Sequence, residues 1–303
     1  MRVTNRMLVT TVQHNLEKNL SRLMKLQDQM SSGKLVSRPS DNPMALSRIM
    51  SLRTGLAEQE QHTRNMEDAI GFLDASESAL AKFTDTLQRV RELTIYGASG
   101  TLSDSDRQAL AAEVDQLIDE LVQTGNTAYA GQFLFGGQKT TTKPLERQGD
   151  AVVYQGNQSP LLWEVSPDVT MEIGVAGSEV FDVFDADDGT QQSKLFTTIF
   201  EIKQALEDGD TQKLGGALLG EVDQHIDHLL QVRAIYGAKS NRLSLAVDRN
   251  FDSKIKMTEL LSRLEDVDLA KISMEYSISQ YVYQASLATG AKVVQPSLVD
   301  YLT

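Results

Sequence analysis

The sequence predicts a mainly α chain with a β-rich insertion: an elongated antiparallel helical rod, with paired terminal helices and a small inserted β domain. Three observations predict it. Apolar residues recur at alternating threes and fours near both ends, the mark of a helix seam. In the middle that period gives way to alternation by two between turn residues. The composition, 41% hydrophobic but only 6% aromatic with six prolines in 303 residues, favours long helices. At roughly 150 residues per domain the length allows about two compact units, or one elongated unit with an insertion.

The first segment, residues 1–43, carries the ladder Val9, Val12, Leu16, Asn19, Leu23, Leu26, Met30. Asn19 falls on the seam, where a buried amide costs stability but penalises wrong registers and partners. Ser31, Ser32 and Gly33 end the helix. The string Ser37 to Pro43 must be extended or turned around its two prolines, and Asp41 or Asn42 can cap the next helix with Pro43 in its first turn.

Residues 44–136 read as a helical hairpin. Ala45, Ile49, Leu52, Leu56, Met66, Ile70 and Leu73 lead into Leu80, Phe83, Leu87 and Val90, a helix of about 80 Å if unbroken. Ser103 and Asp106 have the spacing of a capping box and open a second helix through Leu110, Val114, Leu117 and Leu121. A short turn between the two makes them antiparallel neighbours. Residues 137–190 form the β-rich insertion, with strands expected at Val152–Tyr154, Leu161–Val165 and Val169–Ile173. A returning helical rod spans 191–258. A C-terminal assembly helix fills 259–303, where positions 260, 264, 267, 271, 274, 278, 281, 285 and 288 again alternate fours and threes, with Lys271 as the interruption.

Several functions are set aside by composition. Lys+Arg 29 against Asp+Glu 42 gives a formal −13, the wrong sign for neutralising phosphates, so no nucleic-acid partner is expected. No stretch approaches the ~20 apolar residues of a membrane span, and the first fifteen residues lack the apolar run of a secretory signal. Zero cysteines exclude disulfides, thiol nucleophiles and cysteine-ligated metals. His225 and His228 share a helix face near Asp223 and Asp227 but lack a third ligand at metal spacing. The acidic turn Asp185 to Gly189 has glycine one position early and Phe196 where a calcium loop needs Glu. No serine sits in a nucleophile elbow near any of the four histidines. No catalysis, cofactor or metal is expected.

The ends then pose a physical problem. Each leucine of these seams gains about 1.5–3 kcal/mol on full burial, and isolated helices are marginal in water. The ends need each other or another chain. They are expected to be partly disordered alone and to fold on assembly. The candidate assembly interface is Val12, Leu16, Asn19, Leu23, Leu26 and Met30 with Leu260, Leu264, Val267, Met274, Ile278, Tyr281, Ala285 and Ala288, completed by Leu298, Tyr301 and Leu302.

Particular strings add to this reading. The opening M-R-V-T, the run S-S-G-K-L-V-S-R-P-S-D-N-P at 31–43, L-S-D-S-D-R-Q-A-L, Q-F-L-F-G-G at 132–137, R-A-I-Y-G-A-K-S-N-R-L at 233–243, L-E-D-V-D-L-A-K-I at 264–272 and the terminal Q-A-S-L-A-T-G-A-K-V-V-Q-P-S-L-V-D-Y-L occur in one order along nearly the whole chain. In that order the chain resembles the flagellin superfamily, and within it the hook–filament junction proteins. Pro39 and Pro43 stand where filament flagellins usually have small helix formers, whereas Pro296 and Trp163 depart from the pattern. The resemblance implies a structural, non-enzymatic subunit of the bacterial flagellum. It implies self-assembly in layers, contact with the first hook–filament junction protein and with filament flagellin, and a cytosolic chaperone on the C-terminal helix. It further implies export to the cell exterior without a cleaved signal. A filament flagellin, or a cytoplasmic coiled-coil scaffold, remains the alternative.

Overall fold

In the computed structural model, residues 5–185 and 191–294 are described. Contacts divide the chain into two compact units, Met1–Glu58 with Asp252–Thr303, and Gln59–Phe251. Two long helices, α2 (Pro43–Gly97) and α7 (Leu219–Glu265), contribute to both.

The Gln59–Phe251 unit is built on α2, α3 (Asp104–Gly125), α5 (Lys194–Asp208) and α7. The capping box at the start of α3 is present, with Ser103 Oγ accepting from Asp106 N and Asp106 accepting from Ser103 N. Leu80, Phe83, Leu87 and Val90 of α2 are buried with Val114, Ile118 and Leu121 of α3 and with Leu195, Ile199 and Ile202 of α5. After the one-turn α6 (Thr211–Lys213), the chain widens between Leu214 and Leu218 into one π-turn before α7 begins. Ion pairs tie the exposed flanks: Arg89 to Glu113, Arg91 to Asp223, Arg233 to Glu77, and Asp115 to both Arg147 and Lys203.

Among the described residues the β strands form three small sheets. The first is a hairpin of β1 (Ala128–Tyr129) and β2 (Gln132–Phe133). β3 (Leu145–Gln148), β4 (Ala151–Tyr154), β7 (Val183–Asp185) and β8 (Gln191–Ser193) form an antiparallel sheet in the order β3-β4-β8-β7, and a one-turn helix, α4 (Gly177–Val180), precedes β7. A second hairpin pairs β5 (Leu162–Ser166) with β6 (Val169–Glu172). The expected strands at 152–154, 161–165 and 169–173 are β4, β5 and β6; β1, β2, β3, β7 and β8 lack a clear alternation and were not anticipated. Trp163 pairs with Met171 across its hairpin and lies 6.5 Å from the Phe72 ring, so the hairpin's inner face rests on α2.

Phe83, Phe135, Phe181 and Phe196 interlock at ring-centroid separations of 5.5–6.4 Å, joining α2, the Q-F-L-F-G-G string and α5. Gly137 in that string has φ +62°, and a Cβ there would meet Asn157 Oδ1 at 2.2 Å, so the chain reversal excludes any other residue. Tyr236 of α7 is fully buried and its hydroxyl accepts from Val175 N at 3.1 Å; burial pushes its pKa up to about 12.

Candidate assembly interface

The Met1–Glu58 and Asp252–Thr303 unit contains the sequence-predicted interface. α1 (Asn5–Ser32) and α8 (Leu269–Val294) run antiparallel and pack along their lengths. The predicted α1 ladder is the face that does so. Val9, Val12, Leu16, Asn19 and Leu23 are half-buried and Leu26 is buried, while Met30 at the end is 39% exposed. Asn19 finds a partner: its Nδ2 donates to Ser286 Oγ at 2.9 Å.

On α8 the structure differs from the expected ladder in two ways. The segment 260–288 is not one helix. α7 ends at Glu265, and Asp268 caps α8, accepting from Ala270 N at 3.0 Å and Lys271 N at 3.2 Å. Leu260 (38% exposed) and Leu264 (half-buried) therefore belong to α7, and Val267 lies in the link. The second difference is the face. Ile272, Tyr276, Ser279, Tyr283, Ser286 and Gly290 turn towards α1, whereas Met274, Ile278 and Tyr281 are 59%, 55% and 73% exposed and Ala285 and Ala288 are exposed with them. The predicted stripe is offset by two residues, roughly 200° around the helix, from the one that closes the pair. The α1 seam and the predicted α8 stripe are thus not brought together. Leu298, Tyr301 and Leu302 lie outside the described residues.

The inner stripe of α8 also repeats in fours and threes, so spacing was available as a signal. It was obscured because its members, Ile272 apart, are small, hydroxylated or aromatic rather than aliphatic. Gly290 has a use there: a Cβ would stand 2.8 Å from Val12 Cγ1, so the helices close to a distance only glycine permits.

At the base of the pair, the linker between α1 and α2 is fastened on both sides. Leu35 N donates to Glu265 O at 2.6 Å and Val267 N to Gly33 O at 3.1 Å, a short antiparallel bridge. On the α1 side Lys25 pairs with Asp41, Asp28 with Arg38, and Gln29 Nε2 donates to Leu35 O. Asn42 is the cap of α2, its Oδ1 accepting from Ala45 N at 3.1 Å. The Glu265 side chain, 5% exposed, is gripped by Lys34 and Arg53. Burial pushes its carboxyl up, but the two cations outweigh this and hold it below its ordinary value. Two strings far apart in sequence, 31–43 and 264–272, thereby meet.

Elsewhere the set-aside chemistry has other employment. His228 Nε2 lies 2.8 Å from Glu179 O, and buried His225 lies 3.4 Å from Thr198 Oγ1. Among the described residues no group of three or more His, Asp or Glu is placed to hold a metal, and no helix is long and apolar enough to cross a membrane.

Comparison with known proteins agrees with this architecture. The bacterial flagellin N-terminal helical region matches residues 3–140 and the bacterial flagellin C-terminal helical region matches residues 219–302. Flagellar hook-associated protein 3 of Escherichia coli (strain K12) is 29% identical over 302 residues, spanning 94% of this chain and 95% of the relative. Flagellin of Bacillus subtilis (strain 168) is 28% identical over 303 residues, spanning 97% of each. Among solved structures, hook-associated protein 3 of Legionella pneumophila superposes with a TM-score of 0.64 at 18% identity, covering 71% of this chain and 98% of that one. FlgL of Bacillus cereus gives 0.58 at 21%, covering 70% and 99%, so the fold is shared at low identity.

Proposed function

This chain belongs to the bacterial flagellin family, and from that premise we propose that it is the hook–filament junction subunit of a bacterial flagellum, assembled through its terminal helices. One observation carries the assembly reading. α8 closes on α1 with its less apolar stripe and turns Met274, Ile278 and Tyr281 outward. In an isolated chain the outward stripe stays in water, whereas neighbouring copies gain a seam to bury.

The terminal pair is the axial contact, and the Gln59–Phe251 unit supplies the lateral ones. Heterologous contacts repeated about an axis make a layer of copies. The five segments 1–43, 44–136, 137–190, 191–258 and 259–303 divide this work. The flanking partners are the first junction protein below and filament flagellin above, and an export chaperone holds α8 before assembly. Export to the cell exterior proceeds without a cleaved signal, and the chain carries no catalysis. Pro39 and Pro43 in the linker, where filament flagellins usually have small helix formers, favour the junction over the filament itself.

Deleting the gene in its motile host tests the reading. Hooks should persist while filament protein is lost to the medium. Filaments attached in normal number would refute the junction role, and loss of the filament protein's production itself would point to a filament subunit.

A further inference from the structure

Two stripes run along α8 at helix-seam spacing, and apolarity alone does not decide between them. Met274, Ile278 and Tyr281 on one are matched by Ile272, Tyr276 and Tyr283 on the other, and it is the second, with Ser279, Ser286 and Gly290, that faces α1. We infer that Asn19 is the specificity-determining residue that selects which face of α8 closes on α1. Its Nδ2 donates to Ser286 Oγ at 2.9 Å, and that serine is oriented to accept because its own hydroxyl donates to Val282 O at 2.8 Å. With α8 turned by the two-residue offset, Ala285 and Ala288 come to the level of Asn19. Neither side chain offers an acceptor, so the half-buried amide loses its protein partner.

Asn19 does not by itself fix the level along the helix, because Ser279 lies one heptad from Ser286 and accepts equally well. Gly290 removes that ambiguity. Val12 Cγ1 occupies a notch that any Cβ would fill, and one heptad of slip puts Tyr283 there instead. Asn19 sets the face and Gly290 sets the level. The apolar stripe is thereby kept outward. Its use in assembly rests on the function proposed above; the selection of the face does not.

The chain has no cysteine, so engineered pairs report without background. Val12→Cys with Gly290→Cys traps the observed face, since replacing the valine removes the methyl that a Cβ at 290 would meet and puts a sulfur within bridging distance, and Val12→Cys with Ala288→Cys traps the opposite one. Both are equilibrated in a thiol–disulfide buffer on the dilute full chain, and the ratio of yields is read. The ratio reports the preferred face even when the pair is only partly formed. In the parent chain the 12–290 link should exceed the 12–288 link roughly threefold or more, the effect of one lost hydrogen bond to a half-buried amide. Asn19→Leu should bring the ratio to one or below, and the exchange of Asn19→Ser with Ser286→Asn should restore it. Equal yields in the parent, or a ratio unmoved by Asn19→Leu, overturns the inference. Proportionate loss of both links in Asn19→Leu also overturns it, since Asn19 would then merely stabilise the pair. Filament attachment is not read in this experiment, so its outcome is separate from that of the gene deletion.

Discussion

Glu265 sits with its side chain 5% exposed between Lys34 and Arg53, and its pKa is lowered from an ordinary 4.5 despite its burial. A carboxylate held low in the folded state contributes stability above its ordinary value and loses it as pH falls through the lowered one. Glu265→Gln should therefore weaken the α1–α8 unit by about 1–3 kcal/mol near neutrality, a range kept small because both cations are partly in water. It should also reduce that unit's acid sensitivity, read by amide exchange in α8, with Asp41 beside Lys25, likewise held low, supplying part of what remains. His225 has the opposite chemistry with the same sign. Burial first of all, then Lys194 and His228, depresses its imidazole below the ordinary 6.5 against the opposing pull of Asp182 and Glu221. The unfolded chain binds the proton first, so stability present above pH 6.5 is lost as pH falls from there through the depressed value. His225→Gln should flatten the change in urea midpoint between about pH 7.5 and about pH 5.5. None of these partnerships was legible in sequence, because Lys34 reaches Glu265 and Thr198 reaches His225 only after the chain has folded. Asn19 was legible, since an amide on an apolar seam violates a local pattern. Its partner was not.

Elements follow local rules, and those were readable. Ser103 and Asp106 announced the start of α3 by spacing alone, and Ser103→Ala should cost about 1 kcal/mol, measured as a lower thermal midpoint. Asn42 with Pro43 announced α2 in the same way. Strands β4 to β6 were visible because turn residues bound them, whereas β7 and β8 are three residues long and join the sheet only where Gln192 of β8 pairs with Val153, about forty residues earlier in sequence. The break between α7 and α8 was missed for a specific reason. The apolar ladder continues across Asp266 to Asp268 without glycine or proline, and the interruption comes from a single carboxylate cap and a backbone bridge to Gly33. The face of α8 that meets α1 does not stand out in sequence, because Ser279, Ser286 and Gly290 interrupt its apolar members. In the Gln59–Phe251 unit, Phe83→Ala should cost about 3–5 kcal/mol, since its ring touches two other buried rings.

The whole molecule segregates its charge. Residues 59–251 hold 31 of the 42 acidic and 15 of the 29 basic side chains, a formal −16, while the terminal unit holds 11 acidic and 14 basic, a formal +3. Copies joined through their terminal units must bring the acidic units into company, so self-association of the purified chain should accelerate as salt is raised towards about 0.15 M, where the Debye length is near 8 Å. Steady inhibition by salt would show instead that opposite charges drive the contact. The central claim is that the outward stripe of α8 is kept free for sister chains. Ile278→Asp tests it most directly, because that side chain is 55% exposed and the substitution leaves the folded chain's packing intact. A deletion strain supplied with this variant is scored for attached filaments. The account predicts a purified protein with the parent's unfolding midpoint but cells with bare hooks; filaments attached in the parent's number would contradict it.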